Sequence, residues 1–242
     1  MVYEKENKLW LVWKDTNTRE RFIVGVLTYN REVYYFKYLE NEGKNDLGSA
    51  LTRGFSLLPA FPERDKEYQS PKLFHVFFNR LASRNRTDVQ ELFQNRGLSQ
   101  HCSDFDFLKE TGGRLPTDTL EFVEPIMFQV QEEFKIKFNV AGLRYYDIDK
   151  VQYYKLQQNS KIILRLEPNN KFDPHAIEVL TCENEKLGYV PVFYSRYIDL
   201  SVMLDNYEAK VDRFDPDADY LEKLSIEVKG KSNLSEIIEN IK

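Results

Sequence analysis

The chain has 242 residues, of which 42% are hydrophobic and 14% aromatic, and carries a formal net charge of −5. That is enough apolar material for one large or two small domains and too much for a disordered chain. The acidic balance excludes a global basic field, so any nucleic-acid contact has to be local.

Apolar runs are short, and Glu4 and Lys5 lie at the start, so neither a signal peptide nor a membrane span is expected. Cys102 and Cys182 are far apart and outside any CxxC pattern, which reads as two reduced thiols in a soluble, cytoplasmic protein.

Leu9–Val12, Phe22–Leu27 and Val33–Tyr38 are rich in β-branched and aromatic residues and read as strands of an antiparallel meander, with a turn at Tyr29-Asn30-Arg31. Residues 40–70 read as loop, given Gly43, Gly48, Gly54, Pro59 and Pro62. A helical section follows. Ser70-Pro71 reads as N-cap and first-turn proline, and Phe74, Phe77, Phe78 and Leu81 recur at helical spacing. Thr87 to Gln90 matches a capping box, Val89, Leu92 and Phe93 form the next stripe, and Gly97 suits a C′ position. Ser103–Glu110 predicts a shorter helix stopped by Gly112-Gly113, and Leu120–Val123 a closing strand before Pro125.

Near residue 125 the pattern changes. Strand signals dominate from Phe134 to Leu187, Pro191 opens a helix carrying Tyr194, Tyr197, Ile198 and Met203, and Glu208–Arg213 and Leu224–Val228 read as late strands. Leu234, Ile237, Ile238 and Ile241 read as a terminal amphipathic turn. Two domains, 1–125 and 132–242, are therefore expected.

Three features of the first part resemble the N-terminal subdomain of HipA-type toxin kinases. They are the early meander, Phe77-Phe-Asn-Arg-Leu81, and Asp106-Phe-Leu-Lys-Glu-Thr-Gly-Gly113 followed by Leu120-Glu-Phe-Val-Glu-Pro125. The resemblance covers roughly residues 9–125 and implies a small sheet with a helical bundle. The family's catalytic domain has no counterpart after Pro125, and Gly112-Gly113 is not followed by the Gly-Lys-Ser/Thr of a phosphate-binding loop. The chain is thus similar to the detached subdomain of tripartite HipBST systems, which implies a protein that docks a separate HipA-like kinase.

In the second part, Gly142 offers a backbone able to approach a neighbour closely, and Arg144 a planar donor fork suited to phosphate. Tyr145 and Tyr146 would point to opposite faces of a regular strand, so both can meet one ligand only if the strand ends or bulges there. Pro168-Asn-Asn-Lys-Phe-Asp-Pro174 is a loop by composition. Its Asp173 has two readings: it caps the following turn, or it accepts a hydrogen bond from a sugar hydroxyl while repelling a phosphate. His175 stands beside it, within reach of a phosphate.

Gly142-Leu-Arg-Tyr-Tyr146, the loop from Pro168 to Val179 and Gly188-Tyr-Val-Pro191 together resemble the HIRAN domain over roughly residues 134–230. The resemblance implies a β-rich, OB-like barrel with a helix. It also implies that Tyr145 and Tyr146 stack on terminal bases of single-stranded DNA and that Asp173 meets a 3′-hydroxyl. Lys171, Phe172, His175 and Tyr189 complete the expected DNA-binding set with Arg144. The chain departs from the family in placing Val192 and Phe193 where basic residues are common. Residues 132–242 also hold 16 Lys and Arg against 20 Asp and Glu, leaving Lys155, Lys161, Arg165 and Lys171 for phosphate.

His75, His101 and His175 make no metal set, and no nucleophilic constellation is visible. The expectation is an α+β protein without catalytic residues, metal or cofactor. It would belong to a toxin–antitoxin or phage-defence locus, docking a protein partner and recognising single-stranded DNA ends. The alternative is an antitoxin that only binds protein.

Overall fold

The computed structural model describes residues 7–40, 46–95, 97–125, 133–146, 156–195, 198 and 206–231. Lys155, Tyr197, Met203 and the terminal turn at 234–241 lie outside these residues. The chain divides into two compact units, Met1–Pro125 and Ile126–Lys242. Its sheets are antiparallel throughout. No described helix is long and apolar enough to cross a membrane.

The first unit holds strands β1 (Asn7–Lys14), β2 (Arg21–Tyr29), β3 (Tyr34–Tyr38), β4 (Tyr68–Ser70) and β5 (Leu120–Val123), in the order β4-β3-β2-β1-β5. Its helices are α1 (Leu47–Thr52), α2 (His75–Phe78), α3 (Thr87–Asn95) and α4 (Asp104–Thr111). The expected helical bundle is not supported. The helices are short: α1 and α2 have 6 and 4 residues and lay Leu47, Ala50 and Phe77 on the apolar sheet residues. Among the described residues, only α3 and α4 meet in a cluster of their own, through Val89, Phe93 and Phe107.

The helix expected from Ser70-Pro71 fails because Ser70 is taken by β4, pairing with Tyr34, and its hydroxyl donates to the Lys72 carbonyl. The remaining stripe is a single turn. Helix α1, in turn, lies inside a segment that reads as loop; the Asp46 carboxylate caps it by accepting the Ser49 N–H at 2.8 Å.

The two motifs of the first unit meet in one latch. Arg80 is buried, and its Nε donates to the Gly113 carbonyl at 2.6 Å. Its two Nη atoms grip Asp118 at 2.6 and 2.7 Å, and Nη2 also reaches the Leu120 carbonyl at 2.9 Å. Gly113 permits this because it sits at φ 55°, where a Cβ would stand 2.5 Å from Leu108 Cδ1.

The second unit has two three-stranded sheets. One is β10-β11-β6, from β6 (Glu133–Asn139), β10 (Tyr207–Phe214) and β11 (Leu224–Lys231); the other is β7-β8-β9, from β7 (Ile163–Leu166), β8 (Ile177–Leu180) and β9 (Lys186–Tyr189). Two isolated bridges join them, Ala141 to Tyr189 and Lys161 to Lys210, so the strands follow one another around a ring. Alternation builds its interior: Phe134, Ile136 and Phe138 of β6, Ala209 and Val211 of β10, and Ile226 and Val228 of β11 are buried. Residues 192–195 are helical, with Tyr194 buried.

Close approach at the Ala141 bridge depends on Gly188, not on Gly142 as the sequence reading had it. A Cβ on Gly188 would fall 2.4 Å from the Ala141 carbonyl oxygen, whereas one on Gly142 would meet nothing nearer than 3.8 Å. Gly142 is required for its backbone, at φ 77° and ψ 8°.

Two outcomes follow for stability. Arg80→Ala leaves the Gly113 and Leu120 carbonyls and the Asp118 carboxylate without their donor. It should cost about 3 kcal/mol in urea denaturation of the full chain; a loss below about 1 kcal/mol would mean the latch is only peripheral. Gly188→Ala has to push β9 away from Ala141 and should cost more than Gly142→Ala, for which only the left-handed backbone penalty of about 1–2 kcal/mol applies. The reverse order in thermal melts would place the close approach elsewhere.

Candidate nucleic-acid interface

Strand β6 ends at Asn139, and the chain turns at once. Gly142 leads into a 3₁₀ turn, Leu143–Tyr145, closed by the Tyr145 N–H to the Gly142 carbonyl at 3.0 Å and by Tyr146 N–H to Leu143 carbonyl at 3.2 Å. Leu143 is buried and anchors the turn. The strand end frees the two tyrosines from strict alternation. Tyr145 is 65% exposed with the Arg144 guanidinium 4.7 Å above its ring, while Tyr146 is half-buried and meets Tyr189 edge to face at 6.4 Å.

The loop after β7 is built from its own polar side chains. The Asn170 N–H bonds to the Glu167 carbonyl at 2.9 Å, and Asn170 Oδ1 accepts the N–H groups of Phe172 and Asp173 at 3.0 and 3.2 Å. Asp173 caps the next turn: its Oδ1 accepts the His175 N–H at 2.9 Å. Its Oδ2 has a longer contact, 3.4 Å, from the buried Ser195 hydroxyl. Folding the loop inward in this way leaves Lys171 on the surface and the Phe172 ring 94% exposed. An apolar ring in that state gains nothing from the fold itself.

Tyr189 joins the turn to the loop. Its ring meets Tyr146, while its hydroxyl donates to Glu167 Oε2 at 2.7 Å and accepts from Lys186 Nζ at 2.7 Å. Asn170 Nδ2 also donates to Glu167 Oε2, at 2.7 Å. Burial of the phenol, helped by Glu167, pushes the Tyr189 hydroxyl up to about 12, so it remains a donor at neutral pH. The Asn170 and Tyr189 hydrogen bonds hold Glu167 below the usual carboxylate range.

Lys186 lies 4.2 Å from the Tyr189 ring centroid and 5.4 Å from that of Tyr146, and pairs with Glu178 Oε1 at 2.5 Å. Burial works against its charge, but Glu178 and Tyr189 outweigh it and raise its pKa. Burial likewise opposes ionisation of Glu178, and Lys186 and Arg165 reverse that, holding it low. Arg165 Nε donates to Glu178 Oε2 at 2.7 Å. Lys186 is therefore committed to Glu178, whereas Arg165, though paired with Glu178, keeps 54% of its side chain exposed and joins Arg144 and Lys171 as an exposed cation of this region.

The structure thus brings Arg144, Tyr145 and Tyr146 together with Tyr189, and links that group through Glu167 and Asn170 to the loop of Lys171, Phe172, Asp173 and His175. Lys161, a phosphate candidate by sequence, is exposed and forms a backbone bridge to Lys210.

Sequence reasoning did not find Glu167, Glu178 and Lys186. Lys186 and Tyr189 are three residues apart, so a regular strand would set them on opposite faces. A register shift between Val179 and Leu180 against β9 puts them on one side. Among the described residues, no group of three or more His, Cys, Asp or Glu side chains is placed to hold a metal ion.

Residues 133–230 match the family model described as the HIRAN domain. Among solved structures, the chain is similar to a protein from Lactobacillus plantarum at 20% identity and TM-score 0.33, over 42% of this chain and 99% of that one. It is also similar to the HIRAN domain of human HLTF at 19% identity and TM-score 0.31, over 44% of this chain and 82% of that one. No curated protein matches the chain. The second unit, with its intact turn, loop and glycine strand, therefore contains a HIRAN domain at residues 133–230.

Proposed function

We propose that the second unit binds single-stranded DNA at its 3′ end and that the chain acts by binding rather than by catalysis. The observation that supports this reading is the pair of exposed rings, Tyr145 and Phe172, held beside the exposed cations Arg144 and Lys171 within a HIRAN domain. Exposed aromatics offer faces on which bases stack, and the cations neutralise phosphates near the terminus. Asp173 Oδ1 is spent on the turn, but among the described residues Oδ2 has only the long Ser195 contact and keeps acceptor capacity for a sugar hydroxyl. The same carboxylate would repel a terminal phosphate. Tyr146 and Tyr189 hold the turn against the loop, and His175 lies next to the acid.

The first unit, in this reading, docks a protein partner, a HipA-like kinase of a toxin–antitoxin or phage-defence locus. The support is the resemblance of residues 9–125 set out above. A second reading, in which both units bind only protein, is favoured by the acidic balance of residues 132–242, 16 Lys and Arg against 20 Asp and Glu.

Fluorescence anisotropy with oligonucleotides that differ only in the 3′ group separates the two readings. At low salt the chain should bind a 3′-hydroxyl end more tightly than a 3′-phosphate end and be indifferent to 5′ phosphorylation. Tyr145→Ala and Phe172→Ala should each weaken binding by about 1–3 kcal/mol, and Asp173→Ala should erase the end preference. Equal affinity for both ends removes end recognition, and no binding at any salt concentration leaves the protein-only reading.

A further inference from the structure

The outer face of β10-β11-β6 carries charges the end site does not use. Alternation places Lys135 and Lys137 of β6, Glu208, Lys210 and Asp212 of β10, and Ser225, Glu227 and Lys229 of β11 on that face, opposite the buried residues of the ring. Four ammonium groups gather around one buried carboxylate. Lys135 Nζ lies 2.8 Å from Glu227 Oε2 and Lys137 Nζ 3.9 Å, while Lys229 Nζ and Lys210 Nζ lie 3.7 and 3.9 Å from Oε1. Lys137 also pairs with Asp212 at 2.6 Å, and Lys210 donates to Asn159 at 2.7 Å.

Of the four, only Lys135 lies within hydrogen-bond distance of Glu227. The distances for Lys210 and Lys229 are those of charge attraction without a hydrogen bond. All four lysines remain between 43% and 51% exposed, so their ammonium groups face solvent as well as their carboxylate and amide partners. Glu227 is held below the usual carboxylate range; burial opposes this, and Lys135 and the other lysines overcome it. The face therefore keeps its cations together at neutral pH in a chain whose net charge is −5. The same strand leads to the end site: β6 carries Lys135 and Lys137 and then runs into the turn of Arg144, which begins at most about 25 Å further along the chain.

We propose that this lysine face is a second, sequence-independent contact for single-stranded DNA, which receives the phosphate backbone of the strand whose end the Arg144–Tyr146 turn holds. It rests on the reading that the second unit binds DNA. A phosphate oxygen supplies the acceptor that Lys210 and Lys229 lack from Glu227, and successive phosphates can follow the lysine rows of adjacent strands. The end site supplies recognition of a terminus, and the face supplies affinity that grows with strand length.

The test measures full-chain binding of a tetranucleotide and of a strand of about 20 nucleotides with the same 3′ end. The longer strand should bind at least about tenfold more tightly at low salt. In the variant K135Q/K210Q/K229Q that gain should vanish while tetranucleotide binding persists, and the slope of log affinity against log salt should fall by about 2. Because removing lysines from a buried carboxylate can weaken the fold, Glu227→Gln provides a variant of opposite sign: with all lysines retained and the carboxylate neutral, it should tighten binding of the long strand only.

Equal affinity for both lengths, or an unchanged long-strand affinity in both variants, overturns the lysine face and leaves end binding standing. Long-strand binding that needs the lysines but has no tetranucleotide counterpart overturns the end site and supports the face. Absence of any binding overturns both.

Discussion

The backbone approach of Ala141 to Tyr189 is the constraint on which the second unit depends. Two hydrogen bonds of 2.9 Å join these residues, and the missing side chain of Gly188 gives them room. This single contact continues the ladder from β6 to β9. It also fixes where the 3₁₀ turn lies, because Gly142 follows immediately. The ring of Tyr189 then meets Tyr146, and its hydroxyl reaches the loop that carries Phe172 and Asp173. Three separate segments become one surface because one strand position has no Cβ.

The charge distribution of that surface follows a second constraint, burial of Glu178. A carboxylate on a strand buried at every position has to be paired. Arg165 and Lys186 pair it; Lys186 is thereby drawn out of solvent, whereas Arg165 stays half exposed. The cost of a buried acid is thus one cation drawn in and a second partly engaged, both of which a count of basic residues would assign to nucleic acid. What remains for a ligand is a small set: Arg144, Lys171, the exposed part of Arg165 and two exposed rings. A site so composed suits an end more than a long tract, and the lysine face of β10-β11-β6 is where a tract would find further phosphate contacts.

The first unit shows the same division between what residues look like and what they hold. Arg80 and the Gly112-Gly113 pair stand in the motifs that carry the resemblance to HipA-type subdomains. In the fold they join α2, the end of α4 and β5: Arg80 bonds the Gly113 and Leu120 carbonyls and Asp118, and Gly112 takes the left-handed conformation that ends α4. That architecture accounts for these residues without invoking a ligand. Phe78, by contrast, is 49% exposed on the α2 turn, where it contributes little to the aromatic core formed by Phe36, Phe61, Phe77 and Phe122.

Much of the strand plan was legible in the sequence. β1, β2, β3, β5, β10 and β11 lie where runs of β-branched and aromatic residues stand between turn residues, and α4 lies between Ser103 and Gly112. The Asn-Asp-Pro loop was legible too, because local backbone chemistry is written in local residues. The helical bundle was not: the Phe74–Leu81 periodicity is real, but Ser70 pairs in a sheet, and strand pairing is a non-local event that helical spacing does not register. The same holds at the site. Sequence alone determined which residues could stack and which could bind phosphate. Only the tertiary structure decided that Gly188 rather than Gly142 gives the close approach, that a strand irregularity sets Lys186 beside Tyr189, and that Glu178 claims Arg165 and Lys186. Side-chain availability depends on partners from other strands, and their register is set by packing across the whole ring.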